Sequence, residues 1–76
     1  MAITFDRHDD NGTVLEVTPQ WLRENGALPT VYVYQDETYI GILDENENGF
    51  YFVFVNGGSM SLKQQVDFLI ELRKIL

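Results

Sequence analysis

The chain has 76 residues, of which 45% are hydrophobic and 13% aromatic, and it carries a formal net charge of −7 with no cysteine. This length predicts one domain over residues 1–76, and the composition excludes a disordered chain, a disulfide framework and a thiolate metal site. The negative charge repels nucleic-acid phosphates, so we expect no direct DNA or RNA binding and a preference for a basic partner.

The sequence also predicts a cytoplasmic protein with no membrane partner. Its longest uninterrupted apolar run covers six residues, 50–55, whereas a membrane-spanning helix needs about 20. The first residues show no basic segment followed by an apolar one, so no signal peptide is predicted. The absence of cysteine fits a reducing cytosol.

The first two predicted elements are strands over residues 2–5 and 13–17. The polar segment between them ends in Asn11 and Gly12, a pair that is typical of turns. The second segment alternates apolar and polar residues, as a half-buried strand does. We therefore expect the two strands to form a hairpin.

A short helix is predicted next. Thr18 is a typical N-cap residue, Pro19 suits the first helical position, and Gly26 suits the end of a helix. A helix of about two turns is not stable without packing, so Trp21 and Leu22 are expected to anchor it.

Two further strands, over residues 30–35 and 38–43, are predicted to pair across a two-residue turn at Asp36 and Glu37. Asp-Glu is not a favoured pair for so tight a turn. The implied register pairs Tyr34 with Tyr39, Val33 with Ile40, and Val31 with Ile42. One face then carries Val31, Val33, Ile40 and Ile42. The other face carries Tyr32, Tyr34, Tyr39 and Leu43.

A polar loop over residues 44–49 and a strand over residues 50–55 follow. The strand is apolar on both faces, which is typical of a central strand covered on both sides. A three-residue loop with a bulge places the phenylalanines of this strand with Ile40 and Ile42, whereas a loop of even length places them with the tyrosines.

The last predicted element is a helix from about residue 62 to the C-terminus, after a break at residues 56–58. Ser61 and Gln64 have the spacing of a capping box. The apolar side chains cover a wider arc of the helix than contact with one sheet requires. Those at the edges of the arc therefore either pack against the sheet and loops or contact a partner helix. These edge residues are Phe68, Ile75 and Ile70.

Together the elements predict an α+β fold: an antiparallel sheet of about five strands with a short inserted helix and a C-terminal helix packed on one face. That arrangement leaves only the short helix for the other face of the sheet, the one that carries the tyrosines.

The sharpest chemical pattern resembles half of a calcium loop of the EF-hand type. The matching residues are Asp44, Asn46, Asn48 and Gly49. Val55, however, stands where such a loop requires a bidentate glutamate, and strands rather than helices flank it. A calcium-binding module that uses residues 44–49 is therefore kept as the weaker alternative.

No catalytic residue, metal ligand or cofactor site is predicted, and the chain is not expected to be an enzyme. His8 stands among acidic residues in what reads as a solvated turn, and no second histidine or cysteine completes a metal site. Ser59 and Ser61 are better explained as helix-cap residues than as nucleophiles. The glycines before Ser59 lack the lysine and spacing of a phosphate loop.

Acidic residues recur in three predicted loops. They are Asp6, Asp9 and Asp10 in the first, Asp36 and Glu37 in the second, and Asp44, Glu45 and Glu47 in the third. If these loops converge, they form a negative patch that competes with nucleic acid for a basic protein surface.

The predicted function is that of a small acidic protein-binding domain, of the inhibitor or immunity type, which engages a basic protein. Tyrosines supply contact area because their rings pack while their hydroxyls stay hydrated. The tyrosines assigned to this role are Tyr32, Tyr34, Tyr39 and Tyr51. The alternative is a homodimer in which the tyrosine-bearing face is buried against itself.

Overall fold

Five strands and two helices form the part of the chain that the structure, a computed structural model, describes: residues 2–55 and 60–76. The strands are β1 (Ile3–His8), β2 (Val14–Val17), β3 (Val31–Gln35), β4 (Thr38–Asn46) and β5 (Gly49–Phe54). The helices are α1 (Pro19–Asn25) and α2 (Leu62–Ile75). One antiparallel sheet has the strand order β2-β1-β3-β4-β5, so the predicted α+β class is confirmed. The predicted break at residues 56–58 and the cap role of Ser59 lie outside the described residues.

Both helices begin where the cap residues predict. The Thr18 hydroxyl accepts a hydrogen bond from the Trp21 N–H at 3.1 Å. In the capping box of α2, the Gln64 N–H donates to the Ser61 hydroxyl at 3.1 Å, and the Ser61 N–H donates to the Gln64 side chain at 2.8 Å. These bonds satisfy N–H groups that a helix otherwise leaves without partners. Neither helix of the described chain is long and apolar enough to cross a membrane.

β1 extends three residues beyond its predicted end. Its last four residues pair with β2, which confirms the hairpin, and β3 pairs with its other side. Polar residues fit this strand because successive side chains face opposite sides of the sheet. Phe5 is buried on the core side, and Arg7 on the same side lies with its guanidinium carbon 4.9 Å from the ring centre of Trp21.

Asp36 and Glu37 form the predicted two-residue turn between β3 and β4, and Tyr34 lies opposite Tyr39 as expected. Both turn residues have positive φ angles, of 49° and 70°, a conformation that asparagine and glycine adopt more readily. The Asp36 carboxylate accepts a hydrogen bond from the Ala2 N–H at 2.9 Å.

The register of β4 differs from the prediction because the strand contains a bulge after the turn. Val33 lies opposite Gly41 rather than Ile40, so later residues of β4 are shifted by one position. Leu43 is therefore buried in the core, and Ile42 lies on the opposite side of the sheet. The predicted faces of these two residues were wrong.

The predicted polar loop over residues 44–49 was also wrong, since a two-residue turn at Glu47 and Asn48 joins β4 directly to β5. In the predicted register, a turn of even length places the β5 phenylalanines on the side of the tyrosines. The bulge moves the later β4 residues to the opposite side of the sheet, and their β5 partners move with them. The phenylalanines of β5 consequently pack against the core. β5 is an edge strand of the sheet, not the central strand that its apolar composition predicts.

The core is one cluster of buried side chains from the sheet and both helices. Its members are Phe5, Val17, Leu22, Ala27, Val31, Val33, Ile40, Leu43, Phe68 and Leu72. The Phe68 ring lies 5.0 Å from the Phe52 ring and 5.7 Å from the Phe54 ring, so Phe68 is a core residue and does not meet a partner. Leu22 of α1 belongs to the same cluster, and this helix therefore anchors in the core instead of covering the tyrosines.

Candidate functional site

The candidate site is the side of the sheet that faces away from the core cluster, which we call the tyrosine face. Its members alternate along each strand with the core-side residues. They include Thr4, Asp6, His8, Val14, Glu16, Tyr32, Tyr34, Tyr39, Ile42, Asp44, Tyr51 and Val53. All four tyrosines predicted to contact a partner are thus brought together.

A row of aromatic rings crosses the middle of this face. The His8 ring stacks on the Tyr32 ring, with 4.4 Å between ring centres and 29° between ring planes. Tyr39 contacts both Tyr32 and Tyr34, at 6.1 and 5.7 Å. These separations suit favourable aromatic pairs. Four rings from β1, β3 and β4 therefore form a continuous surface, and the predicted placement of His8 in a solvated turn was wrong.

The Tyr34 hydroxyl holds its proton more firmly than a free tyrosine does. Burial raises its pKa, and Asp6, Tyr39 and Tyr32 raise it further because a tyrosinate would add negative charge beside them. Tyr34 therefore presents a neutral hydroxyl that can both donate and accept a hydrogen bond.

Two carboxylates lie directly opposite each other on the tyrosine face. Asp6 and Glu16 are cross-strand partners in the β1–β2 ladder, an arrangement in which like charges repel and weaken the sheet. Asp44 adds a third carboxylate on β4, opposite Tyr51, where it accepts a hydrogen bond from the Thr30 hydroxyl at 3.5 Å. The face is therefore acidic as well as aromatic.

No lysine or arginine of the chain lies on the tyrosine face, and all five are among the described residues. Arg7 lies against Trp21 of α1. Arg23 of α1 donates from Nη1 to the Ile75 carbonyl at 2.7 Å. The other three belong to α2: Lys63, Arg73 and Lys74. The negative charge of the face is therefore left without a basic side chain from the chain itself.

The predicted acidic loops do not converge into one patch. Asp36 and Glu37 lie at one end of the sheet because they connect β3 to β4. Asp9 and Asp10, between β1 and β2, lie at the opposite end with Glu47, which belongs to the turn between β4 and β5. These acidic residues flank the tyrosine face at its two ends and leave its middle to the aromatic row.

Glu45 is separated from the tyrosine face, although the sequence assigns it to partner binding. Its Oε1 accepts a hydrogen bond from the Ala27 N–H at 3.2 Å, and it lies close against Gly26. Glu45 therefore joins the end of α1 to β4, and this position gives it a role in the fold.

The residues of the calcium pattern lie in the hairpin that β4 and β5 form. Asp44 Oδ1 accepts the Glu45 N–H at 2.8 Å, and Asn46 Oδ1 accepts the Asn48 N–H at 2.9 Å. These oxygens are engaged in local turn and strand contacts. Among residues 2–55 and 60–76, no three or more histidine, aspartate or glutamate side chains form a group that could hold a metal ion.

Sequence reasoning missed three titratable members of the tyrosine face, Asp6, His8 and Glu16, and it placed Ile42 on the opposite face. The first two were assigned to a turn because the local sequence is polar, although their alternation with Phe5 and Arg7 was a signal that could have found them. The position of Glu16 opposite Asp6 depends on the β1–β2 register, which the local sequence does not specify.

Similarity to known proteins gives no indication of what this face binds. No protein-family model, curated protein or solved structure matches the chain.

Proposed function

We propose that this chain is a small protein-binding domain of the cytoplasm, without enzymatic activity, that engages a basic protein surface through its tyrosine face. The observation that carries the proposal is the separation of charge within the molecule. The face holds four tyrosines and three carboxylates, whereas every lysine and arginine lies elsewhere. An acidic surface of this kind steers and orients a basic partner.

The aromatic row supplies contact area in this proposal. Tyr32, Tyr34 and Tyr39 already contact one another in the free protein, so little side-chain freedom is lost when a partner packs on them. A lysine or arginine that lies over one of these rings gains about 0.5–2 kcal/mol from the interaction of its charge with the ring.

Asp6 and Glu16 supply the charge. In the free protein they oppose each other across two strands, and their repulsion weakens the ladder. A partner lysine or arginine placed between them makes charge-assisted hydrogen bonds and removes that repulsion. Binding therefore relieves an unfavourable interaction in addition to making new favourable ones.

An inhibitor or immunity-type role is the form of this function that we favour. Proteins that bind nucleic acids do so through basic surfaces, and an acidic domain competes with phosphates for such a surface. Affinity that rests on exposed charges falls as salt screens them. The complex is therefore expected to weaken steeply when the salt concentration rises.

The direct test is a titration with a hexa-arginine peptide, followed by NMR shifts of the backbone amides. We expect shifts in β1, β3 and β4, and a loss of affinity of at least roughly tenfold, or about 1.4 kcal/mol, when Asp6→Asn and Glu16→Gln are combined. The matched control combines Asp67→Asn with Glu71→Gln, which removes the same charge from α2. That control is expected to bind almost as the original chain does.

Equal losses in the two double variants would show that only net charge matters and that the tyrosine face is not the site. A second test replaces Tyr34 and Tyr39 with alanine. If a folded Tyr34→Ala, Tyr39→Ala variant keeps full affinity for the peptide, the aromatic row has no part in binding.

A further inference from the structure

The two edges of the sheet differ in how they are protected. β2 has four residues and includes Glu16, whereas β5 has six residues with neither a charge nor a proline. Long, uncharged, apolar edge strands are the places where a further strand adds to a sheet. On β5, Tyr51 and Val53 are 42% and 43% exposed.

The hydrogen-bond pattern shows which backbone groups of β5 face outwards. The Val55 N–H donates to the Ile40 carbonyl at 2.9 Å, which identifies a hydrogen-bonded pair of the β4–β5 ladder. Such pairs alternate with pairs that are not hydrogen-bonded, whose N–H and C=O groups face the other way. The outward-facing groups of β5 belong to Phe50, Phe52 and Phe54. No other strand of the described chain pairs with them.

A stripe of exposed apolar residues on α2 lies beside this edge. The stripe consists of Leu62, Val66, Leu69 and Ile70. A groove of about 470 Å³ lies between parts of α2 and β5, and its walls include Phe50, Phe52, Leu69 and Leu72. Of the nine exposed large hydrophobic residues in the described chain, seven lie on α2, on β5 or directly after β5. The exposed apolar surface is therefore concentrated at this edge.

We propose that a second copy of this chain covers this surface: the two β5 strands pair antiparallel about a two-fold axis, and the two α2 stripes meet. An axis perpendicular to the sheet continues it from one copy into the other and keeps both α2 helices on the same side. In this arrangement the two β5 strands lie about 4.8 Å apart and the two α2 helices pack about 8–10 Å apart.

Charge favours a second copy as the occupant. The ten acidic residues of the first 57 all precede β5, whereas β5 and the stripe have none. On α2, Lys63 pairs with Asp67 at 2.8 Å and Lys74 pairs with Glu71 at 3.4 Å, so with Arg73 this helix carries a net charge of +1. Two copies of a protein with a net charge of −7 therefore meet here with the least repulsion.

This dimer is independent of the proposed binding of a basic protein. Pairing through β5 leaves the aromatic row of His8, Tyr32, Tyr34 and Tyr39 open in both copies. It differs from the homodimer that the sequence suggests, because that dimer buries the tyrosines. Either proposal can fail while the other holds.

The test is the molar mass in solution, measured by light scattering from micromolar to millimolar protein concentration. We expect a rise to twice the 8.8 kDa of the single chain. Val53→Lys on β5 and Val66→Lys on α2 are each expected to keep the mass of the monomer throughout. The matched control is Val14→Lys on the opposite edge strand, where the side chain is 56% exposed, and this variant is expected to dimerise normally.

Hydrogen exchange tests the geometry of the pairing. We expect the outward-facing N–H groups of Phe52 and Phe54 to exchange more slowly at high concentration, whereas the Val53 N–H, which faces β4, is unaffected by dilution. A monomer at all concentrations would overturn the proposal. So would a dimer that survives both lysine variants, or one in which these phenylalanine amides exchange equally fast at every concentration.

Discussion

Gly41 shows how one residue can control the approach of two strands. A Cβ atom at this position would collide with the Val53 carbonyl oxygen and lie 2.8 Å from the Phe52 ring. The carbonyl belongs to the backbone of the neighbouring strand, so it can move aside only if β5 shifts. The bulge that places Gly41 opposite Val33 is therefore compatible with glycine and with little else.

We predict that Gly41→Ala lowers the free energy of unfolding by about 1–3 kcal/mol, the usual cost of overpacking. Denaturation in urea, monitored by circular dichroism, measures this loss. Gly12→Ala is the comparison, because nothing lies within 4 Å of a Cβ at that turn position and only its φ of 79° opposes the change. A loss for Gly41→Ala that is no larger than the loss for Gly12→Ala would contradict the close approach.

Tyr34 links the tyrosine face to stability at high pH. Because its pKa is higher in the folded chain than the ordinary value of 10.0, the folded state keeps this proton after the unfolded state has released it. The corresponding stabilisation is complete below pH 10 and is lost as the pH rises through the folded-state pKa.

We therefore predict that the free energy of unfolding falls with pH above about pH 10 and that Tyr34→Phe makes this fall shallower. Urea denaturation at a series of alkaline pH values gives both curves. Identical slopes for the two proteins would show that Tyr34 does not resist ionisation in the fold.

The turn between β3 and β4 is the element with the clearest conflict between residue type and backbone. Glu37 has a φ of 70°, in the left-handed region where a side chain is strained and glycine is not. Asp36 has its own compensation, since its carboxylate accepts the Ala2 N–H.

We predict that Glu37→Gly raises the free energy of unfolding by about 0.5–1 kcal/mol, because the strain is removed while the Asp36 contact is kept. Glu37→Ala is the control: it removes the same charge but keeps the strain, so it is expected to give no such gain. Thermal denaturation of the two variants distinguishes strain from charge, and an equal gain in both would assign the effect to charge.

At the level of elements, local signals were enough wherever a few adjacent residues decide the outcome. The caps at Thr18 and Ser61, and the two-residue turn at Asp36 and Glu37, all belong to this class. The length of β1 was missed because pairing with β2 holds its polar second half as a strand. The β4 bulge was missed for a similar reason, since it depends on how Gly41 meets β5.

The residues of the candidate site also divide into those that local sequence predicts and those that depend on distant parts of the chain. The four tyrosines were found because they alternate along strands that their own sequence predicts. Asp6 and His8 were missed because the polar sequence around them indicates a turn. Glu16 was missed because its neighbour lies on another strand, at a position that only the sheet register specifies. Glu45 was assigned to the surface because its contact, the Ala27 N–H, lies 18 residues away in the chain.

At the scale of the whole molecule, the distribution of charge affects how the protein is oriented as it diffuses towards a partner. The five basic side chains belong to the helices or lie against one, whereas Asp6, Glu16 and Asp44 lie on the tyrosine face. This separation gives the protein an electric dipole moment in addition to its net charge. In the electric field of a basic surface, the molecule experiences a torque that turns its tyrosine face towards that surface during diffusion. A larger share of collisions therefore begins in the orientation that can bind.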